Sequence, residues 1–444
     1  MQASCPTLLV INNYNAVKDS HRYAVQGSDT TMMTRASTAR TINNKSDNVI
    51  YIYLKHLTRL AIITTHPIQY NAPWFKLLNE RGIVCPKVFY TWGEASVQNK
   101  YDPGFKKVIE WDIPLLEGYD FSLVKNIAAD PGSHHFNGID NPTLMKEIIN
   151  WKPDAILIFG WKFKSHLKVL RQFKGKIKIL FRGDSNLLDE QPGFTFKKLL
   201  RRAFLIWVYR HVDKALYTGT ANRAYYLAHG LKDEQLLLAP HAIDNRRFMD
   251  DINNRQRSEL GISAKAIVFI FAGKFEVKKN LGLLLDAFIK LPGCNAHLLL
   301  VGNGELEVQL KLKTSLQLPD IKARIHFLPF QNQQQMPGVY RLGDVVVLPS
   351  QGPAETWGLT VNEAMACAKA VLVSDKCGCA ADLVKTGVNG YVFKSNDSGD
   401  LFNKMNMLLA NEHRIISMGK QSFQLIQQWK FEHICIAVEK CVND

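Results

Sequence analysis

The chain has 444 residues, 46% of them hydrophobic and 21% charged, which is typical of a globular protein and excludes disordered, collagen-like and small disulfide-rich classes. Its length predicts two or three domains, and no stretch approaches the roughly 18 apolar residues of a membrane-spanning helix. The net charge is +15, and residues 162–214 alone hold 14 basic against 4 acidic residues. This local excess favours an anionic partner such as phosphates, an acidic membrane or nucleic acid.

The first 58 residues differ from the rest of the chain. Residues 1–58 are rich in Ser, Thr and Asn without sustained periodicity, which predicts a flexible N-terminal extension. Because the first convincing strand begins near residue 59, the extension can also be interpreted as sequence translated upstream of the native start. The eight cysteines form no CxxC pair and no Cys/His set with zinc spacing, and no secretory leader pattern is visible. We therefore expect a reduced, cytoplasmic protein.

From residue 59 onward, apolar runs that predict strands alternate with stretches of helical spacing. In the first half the predicted strands are 60–64, 84–90, 154–160, 177–181 and a strand end at 214–220, with helices at 72–81, 165–173 and 195–217. In the second half they are 266–271, 297–301, 325–328, 345–349, 370–374 and 390–393, with helices at 280–291 and 305–314. The segment 423–442 reads as helical.

This alternation predicts an α/β protein with parallel, doubly wound sheets. Two such halves of similar length indicate two Rossmann-like domains that face a central cleft, since ligands of these sheets bind at the carboxyl ends of the strands. We predict an extension at 1–58, a first domain at 59–240, a second at 241–415 and a C-terminal helical segment at 416–444. The link between the domains is expected near 236–246.

The strongest chemical signal is LPSQGPAETWGLTVNEAMA at 348–366. An apolar strand is followed by a loop with Gly and Pro and then by a helix. Glu355 is predicted at the junction of loop and helix, and Glu363 about two turns further on. Ionised carboxylates near helix N–H groups can accept hydrogen bonds from sugar hydroxyls. The alternative is that Glu363 is an ordinary surface residue of the helix.

A second signal is FAGKFEVKKNLGLLL at 271–285. The strand ends at Gly273, and Lys274 and Lys279 flank a turn that opens a helix. Two lysines beside a helix N-terminus form an anion site suited to a diphosphate, although a solvated basic turn would have the same sequence. Gly302-Asn-Gly304 follows the next strand and resembles part of a dinucleotide glycine pattern. Its third glycine is missing, which weighs against a dehydrogenase.

In combination these segments resemble a known family. Residues 266–395 are similar to the donor domain of the retaining glycosyltransferases of family 4, which have the GT-B fold. The matching stretches occur in the family's order: FAGKFEVKKN, LLLVGNGELEVQL, IHFLPFQNQQQMPGVYRLGDVVVLPS, ETWGLTVNEAMACAKAVLVSD and VKTGVNGYVF. The first half is similar to a subgroup with THPIQYNAPWFKLL at 65–78 and WDIPLLEGY at 111–119.

The resemblance implies transfer of a hexose-type sugar from a UDP-, GDP- or ADP-sugar to a glycan or lipid-linked acceptor, with retention at the anomeric carbon. Such a reaction belongs to the biosynthesis of surface polysaccharide, lipopolysaccharide or glycolipid. The first domain would bind the acceptor and the second the nucleotide-sugar. The family generally needs no cofactor and no metal, and the sequence holds no Asp-x-Asp metal motif.

The resemblance also carries residue roles onto this chain. Lys274 and Lys279 would hold the donor diphosphate and stabilise the leaving nucleotide, and Glu355 would contact the donor sugar. Glu363 would bind the nucleotide ribose. The backbone around Glu355 would border the sugar and phosphate. The donor-binding set is therefore Gly273, Lys274, Lys279, Gly302, Glu355, Thr356, Trp357, Gly358, Leu359 and Glu363, and Glu355, Lys274 and Lys279 are also the catalytic candidates.

Two places depart from the family pattern. A glycine-rich turn after the first strand is replaced by THPIQYNAP, and a histidine after a later strand is replaced by LFRGDSN. His66, at the end of the first strand, and Asp184, in the second segment, are therefore further catalytic candidates. Arg182 stands beside Asp184 and could serve at the same place.

The basic stretch 197–210, KKLLRRAFLIWVYR, has two interpretations. It could lie on an anionic membrane and bring a peripheral enzyme to a lipid-linked acceptor. It could instead insert its apolar face into the core of the first domain. In this fold the final helix often crosses back to the first domain, and Trp429 is expected at that crossing.

Two other function classes remain open. A nucleotide-sugar epimerase of the same fold would interconvert sugars without an acceptor, and the Glu-x7-Glu segment disfavours it. A basic nucleic-acid-binding protein is suggested by charge alone. No nucleic-acid motif or interleaved aromatic platform supports that class, so no nucleic-acid partner is expected.

Overall fold

The structure is a computed structural model that describes residues 57–97, 110–190, 195–249, 256–292 and 295–444. It also describes residues 105 and 193, and the backbone of short strands at 8–12, 40–42, 50–55, 100–102 and 107–109. The three earliest strands form an antiparallel sheet, and the last two form a hairpin. Apart from those strands, the extension predicted for residues 1–58 lies almost wholly outside the described residues.

The first domain is built on a seven-stranded sheet whose strands are all parallel. In spatial order the strands are Leu236–Leu238, Lys214–Tyr217, Lys178–Arg182, Ala155–Phe159, Thr58–Thr64, Val84–Tyr90 and Asp120–Leu123. The helices are Ala72–Glu80, Leu144–Trp151, Lys164–Phe173, Phe196–Tyr209 and Thr220–Ala228.

The second domain is built on a six-stranded parallel sheet. Its strands, in spatial order, are Ile325–Leu328, Ala296–Val301, Ile267–Ala272, Val345–Leu348, Ala370–Ser374 and Gly390–Phe393. Its helices are Asn245–Met249, Leu281–Ile289, Glu307–Ser315, Pro319–Lys322, Met336–Arg341, Leu359–Ala366, Ala380–Leu383, Ser398–Leu409 and Glu412–Ile426. The chain ends with the helix Phe431–Asn443.

The sequence explains why these segments form buried strands and capped helices. IVFIFA at 267–272 is apolar at every position and buried on both faces, as expected for a central strand of a parallel sheet covered by helices. The helix Ser398–Leu409 begins where the Asp397 side chain accepts a hydrogen bond from the Asp400 N–H. Thr195 caps the helix Phe196–Tyr209 in the same way.

The α/β prediction with two parallel sheets is confirmed. The predicted strands are found within one or two residues of their expected bounds, except at 214–220, where the strand ends at Tyr217. The helix expected at 195–217 ends at Tyr209. The C-terminal segment is not one helix, because residues 427–430 separate Glu412–Ile426 from Phe431–Asn443. The edge strand Asp120–Leu123 was not predicted, since its four residues are all half-buried and give no apolar run.

The last helix packs against the first domain. Phe431, Ile434 and Val438 share a hydrophobic cluster with Leu60 and Trp74 of the first sheet and its first helix. Arg81 donates two hydrogen bonds to the Glu439 carboxylate, of 2.5 and 2.7 Å. The last helix is thus fixed to the first domain. The domain boundaries predicted at 240 and 415 stay predictions.

None of the helices in the described part of the chain combines the length and the apolar character that crossing a bilayer requires.

Candidate functional site: the cleft between the two sheets

The loops that follow the strands of both sheets meet in one cleft. Asn186 of the first domain donates a hydrogen bond to the Thr356 carbonyl at 3.1 Å, and Asp189 accepts one from the Ala354 N–H at 2.8 Å. Asp382 of the second domain accepts hydrogen bonds from the Thr220 backbone and hydroxyl. The motif at 348–366 therefore lies directly against the first domain.

Lys279 and Glu355 form an ion pair in this cleft. The Lys279 ammonium donates to Glu355 Oε2, and the Ser350 hydroxyl donates to the same oxygen at 2.8 Å. Both charged side chains are largely buried, which strengthens their attraction. Within the described part of the chain the hydrogen bonds to the Glu355 carboxylate both end on Oε2, so Oε1 is left to accept from a ligand. The Lys279 ammonium has further N–H donors for an anion.

The local backbone differs from the expectation at both residues. Glu355 lies in the loop four residues before the helix Leu359–Ala366, not at its junction. Lys279 ends a short 3₁₀ turn, Val277–Lys279, and Asn280 then adopts a left-handed conformation before the helix begins at Leu281. The turn directs Lys279 towards the Glu355 loop.

Glu363 is buried, with only 3% of its surface exposed. The alternative of a surface helix residue is therefore wrong. Its Oε2 accepts a hydrogen bond of 2.7 Å from Tyr340, and its Oε1 accepts one of 3.0 Å from Tyr70 of the first domain. Burial raises the pKa of Glu363, and the hydrogen bonds from the two tyrosines and the charge of Arg247 oppose that rise.

Glu363 faces a cavity of about 120 Å³ that Gly273 and Gly302 also line. A Cβ atom on Gly302 would lie 2.0 Å from the Gly273 carbonyl oxygen, so only glycine permits this approach of the two strand ends. The same cavity is lined by Phe330 and Gln331 after the next strand. The predicted donor residues at the ends of two neighbouring strands are thus brought to one cavity with Glu363.

The three residues after Glu355 belong to the wall between the domains. Thr356 donates from its hydroxyl to Asp184 at 2.7 Å. Trp357 is buried, donates to Asn362 and contacts the Trp429 ring at a centroid distance of 5.1 Å. Gly358 has φ 98°, a left-handed value that favours glycine, and caps the helix that Leu359 begins.

Asp184 is the candidate of the first domain that contacts Thr356 in the second domain. Burial raises the pKa of its carboxyl group, but the nearby His241 ring and the hydrogen bond from Thr356 outweigh this effect and hold the pKa at about 2. His241 Nε2 lies 3.9 Å from Asp184 Oδ2. Arg182 donates to the carbonyls of Ala239 and Pro240, which ties it to the interdomain link.

The remaining two candidates lie beside aromatic rings. His66 is half-buried after the first strand, with Nδ1 2.8 Å from the Thr65 hydroxyl and its ring 5.3 Å from that of Trp92. The Lys274 ammonium lies over the Phe105 ring at 5.0 Å. The catalytic roles suggested for both residues stay predictions.

Sequence reasoning missed Tyr70, Tyr340, His241, Asn186 and Ser350 as members of this site. Tyr70 and Asn186 stand inside the two segments that depart from the family pattern, so those departures were the available signal. Ser350 directly follows the apolar strand of the strongest motif. No local pattern marks Tyr340 or His241, since packing within the second domain brings Tyr340 to Glu363 and the approach of the two domains brings His241 to the cleft.

The second domain is similar in sequence to known glycosyltransferases. Residues 252–424 match the family model described as glycosyl transferases group 1. The D-inositol 3-phosphate glycosyltransferase of Rhodococcus erythropolis is 28% identical over 207 residues, which are 44% of this chain and 45% of that protein. The lipopolysaccharide 1,2-N-acetylglucosaminetransferase of Salmonella typhimurium is 27% identical over 46% of this chain and 55% of that protein. The chain spans about half the length of these relatives.

Solved structures resemble the whole two-domain chain. HepE of Anabaena, in complex with UDP and glucose, has a TM-score of 0.61 at 19% identity, covering 87% of this chain and 99% of that one. WaaG, a glycosyltransferase involved in lipopolysaccharide biosynthesis, has a TM-score of 0.60 at 14% identity, with coverages of 86% and 99%. The fold of this chain is GT-B. At these identities the likeness concerns the fold alone, and the two parallel sheets described above are its two halves.

Proposed function

We propose that this chain is a retaining glycosyltransferase of family 4 that moves a sugar from a nucleoside-diphosphate sugar to a glycan or lipid-linked acceptor. The observation that carries the proposal is the buried Lys279–Glu355 pair in the cleft between the two domains of the GT-B fold. The match of residues 252–424 to a glycosyltransferase family model supports it.

The chemistry of the proposed reaction fits these side chains. Departure of a nucleoside diphosphate builds negative charge, and a preorganised ammonium stabilises that charge without reorganisation of solvent. Lys279, with Lys274, is proposed to hold the diphosphate. Glu355 Oε1 is proposed to accept hydrogen bonds from the sugar, and Glu363 from the ribose. With lysines in the charge-stabilising role, we propose that transfer needs no metal.

Nucleotide binding is the first experiment. We expect isothermal titration of the purified chain with UDP, GDP and ADP to show binding of one of them in the presence of EDTA. Lys279→Ala should weaken that binding by about tenfold to a hundredfold, because a charge-assisted contact contributes ~1.5–3 kcal/mol. UDP is tested first, because HepE was solved with it.

Lys278→Ala is the matched control for this experiment. Lys278 is the neighbouring lysine of the same turn, and it pairs with Glu276 at 3.4 Å instead of Glu355. Its replacement should leave nucleotide affinity within about twofold. Equal losses in both variants would show that only the general positive charge matters and would contradict the site. The anomeric configuration of the product, read by NMR, then tests retention.

For the acceptor we propose a lipid-linked glycan reached at an anionic membrane, which makes the protein a peripheral one on the cytoplasmic face. The support lies in the helix Phe196–Tyr209. Its first two turns expose Phe196, Leu199 and Leu200 beside Lys197 and Arg201. An apolar face flanked by basic side chains suits the surface of an anionic bilayer.

A further inference from the structure

The HPIQY segment after the first strand makes a direct contact with the donor site of the other domain. Tyr70, its last residue, donates from its hydroxyl to Glu363 Oε1 at 3.0 Å. The two residues are 293 positions apart in the chain and belong to different domains. Tyr70 thus carries a polar group of the first domain into the cavity of the second.

Each oxygen of the Glu363 carboxylate accepts a hydrogen bond from a phenol in this arrangement. Tyr340, from the second domain itself, donates to Oε2 at 2.7 Å. Burial raises the pKa of both tyrosines, so each is a neutral donor across the physiological range. A buried carboxylate needs such donors, because leaving one of its oxygens without a hydrogen bond costs the desolvation energy of a charged group.

The cavity beside this carboxylate is too small for a nucleoside. Its volume is about 120 Å³, well below the roughly 300 Å³ at which ligand pockets of ordinary size begin. Part of its wall comes from the first domain, namely Gln69, Tyr70, Phe105 and Trp111. The Phe105 ring also contacts the Phe330 ring of the second domain at 4.6 Å. We therefore expect a nucleoside that binds here to displace some of these side chains.

We propose that the Tyr70 hydroxyl is a placeholder for a ribose hydroxyl: it satisfies Glu363 while the site is empty and yields that carboxylate to the incoming nucleotide. This inference rests on the proposed function, in which Glu363 binds the ribose. Tyr70 is a positioning residue in this scheme, since it acts through Glu363. The HPIQY segment thereby links closure of the two domains to occupancy of the donor site.

The placeholder role predicts an unusual sign for one substitution. In wild type, nucleotide binding must first break the bond from Tyr70 to Glu363. In Tyr70→Phe that bond is absent and the ribose supplies a hydrogen bond that the empty site lacks. We therefore expect Tyr70→Phe to bind nucleotide about tenfold more tightly than wild type.

Tyr340→Phe is the matched control, because it removes a hydrogen bond from the same carboxylate within the same domain. The Tyr340 bond is kept in both states under the proposal, so its loss should weaken nucleotide binding and not tighten it. The experiment is isothermal titration of wild type and both variants with UDP, GDP and ADP. The thermal unfolding midpoint of each variant verifies that it is folded.

A nucleotide without ribose hydroxyls completes the test. With the 2′,3′-dideoxy form of the nucleotide that binds, the gain from Tyr70→Phe should disappear. Wild-type binding with no gain in Tyr70→Phe, or an equal gain with the dideoxy form, would overturn the placeholder role and leave the proposed function standing. Failure of wild type and Tyr70→Phe alike to bind any of the three nucleotides would overturn both. Binding seen only in Tyr70→Phe would support both.

Discussion

Asp184 shows how one side chain can join the two domains through its charge. Its carboxylate accepts from Thr356 across the cleft at 2.7 Å and faces His241 at 3.9 Å, and its pKa is held at about 2. The pKa of His241 is itself lowered by burial. A neutral imidazole and an ionised carboxylate are therefore the expected forms of this pair at neutral pH.

Asp184→Asn should lower the free energy of unfolding at pH 7 by about 1 kcal/mol. The full change of pKa from 3.8 to about 2 would correspond to a larger loss of stability. However, 49% of the side chain is exposed, and solvent screens the interaction. Because the folded-state pKa is depressed, the stabilisation is complete above pH about 4 and is lost as the pH falls towards about 2.

Urea denaturation of wild type and Asp184→Asn over a series of pH values measures this difference. It should shrink below pH about 4. A difference that is the same at every pH would mean that shape, not charge, matters at this position. Asp233→Asn is the control, since Asp233 pairs with Arg223 on the surface and should have little effect.

The helix Phe196–Tyr209 bears on both interpretations of the basic stretch, of which the structure tests only insertion into the core. Its second half buries Leu205, Val208 and Tyr209 in the core of the first domain. Its first half exposes 70% of Phe196 and 55% of Leu200. The helix is thus anchored at one end and exposes a basic, apolar surface at the other.

Leu200→Ser should reduce sedimentation of the protein with phosphatidylglycerol-containing vesicles by several-fold, because the exposed leucine contributes burial in the bilayer interface. The matched control is Leu312→Ser, since Leu312 is 58% exposed on the helix Glu307–Ser315 of the second domain. Binding of wild type should weaken with added salt and with vesicles of phosphatidylcholine alone. Equal sedimentation of all three proteins would contradict the membrane proposal.

At the scale of the whole molecule, the domains approach so closely that one glycine is required. A Cβ atom on Gly219 would lie 2.4 Å from the Trp357 ring and 2.7 Å from Asp382. The φ of Gly219 is 173°, which any residue adopts, so its need for glycine is purely steric. The first domain can contact Trp357 and Asp382 here only because this position has no side chain.

Gly219→Ala should separate the domains at this contact and lower the free energy of unfolding by about 1–3 kcal/mol, as overpacking of a well-packed interface does. Solution scattering should show a larger radius of gyration, and urea denaturation the loss of stability. Gly282→Ala is the control: a Cβ atom there meets nothing within 4 Å, and alanine favours the helix Leu281–Ile289. A Gly219→Ala protein as compact and stable as wild type would contradict the close contact.

The sequence was sufficient to predict most of the strands and helices and part of the candidate site. Strands such as 267–272 are apolar throughout, and this local pattern predicts a buried parallel strand without knowledge of its neighbours. The lysines of 271–285 and the carboxylates of 348–366 were found for a similar reason, since each stands next to such a strand. The short edge strand 120–123 was missed because half-buried residues carry no clear pattern.

The sequence by itself predicted an α/β protein of two parallel sheets, which the structure confirms, and it singled out Lys279, Glu355 and Glu363 as candidate site residues. Only the tertiary structure decided that Glu363 is buried, that Tyr70 reaches it from the other domain, and that Asp184 contacts Thr356 across the cleft. The physical reason is the separation along the chain over which each interaction acts. Periodicity and turn chemistry act over a few neighbouring residues, whereas these contacts join residues between 172 and 293 positions apart and depend on how two sheets face one another.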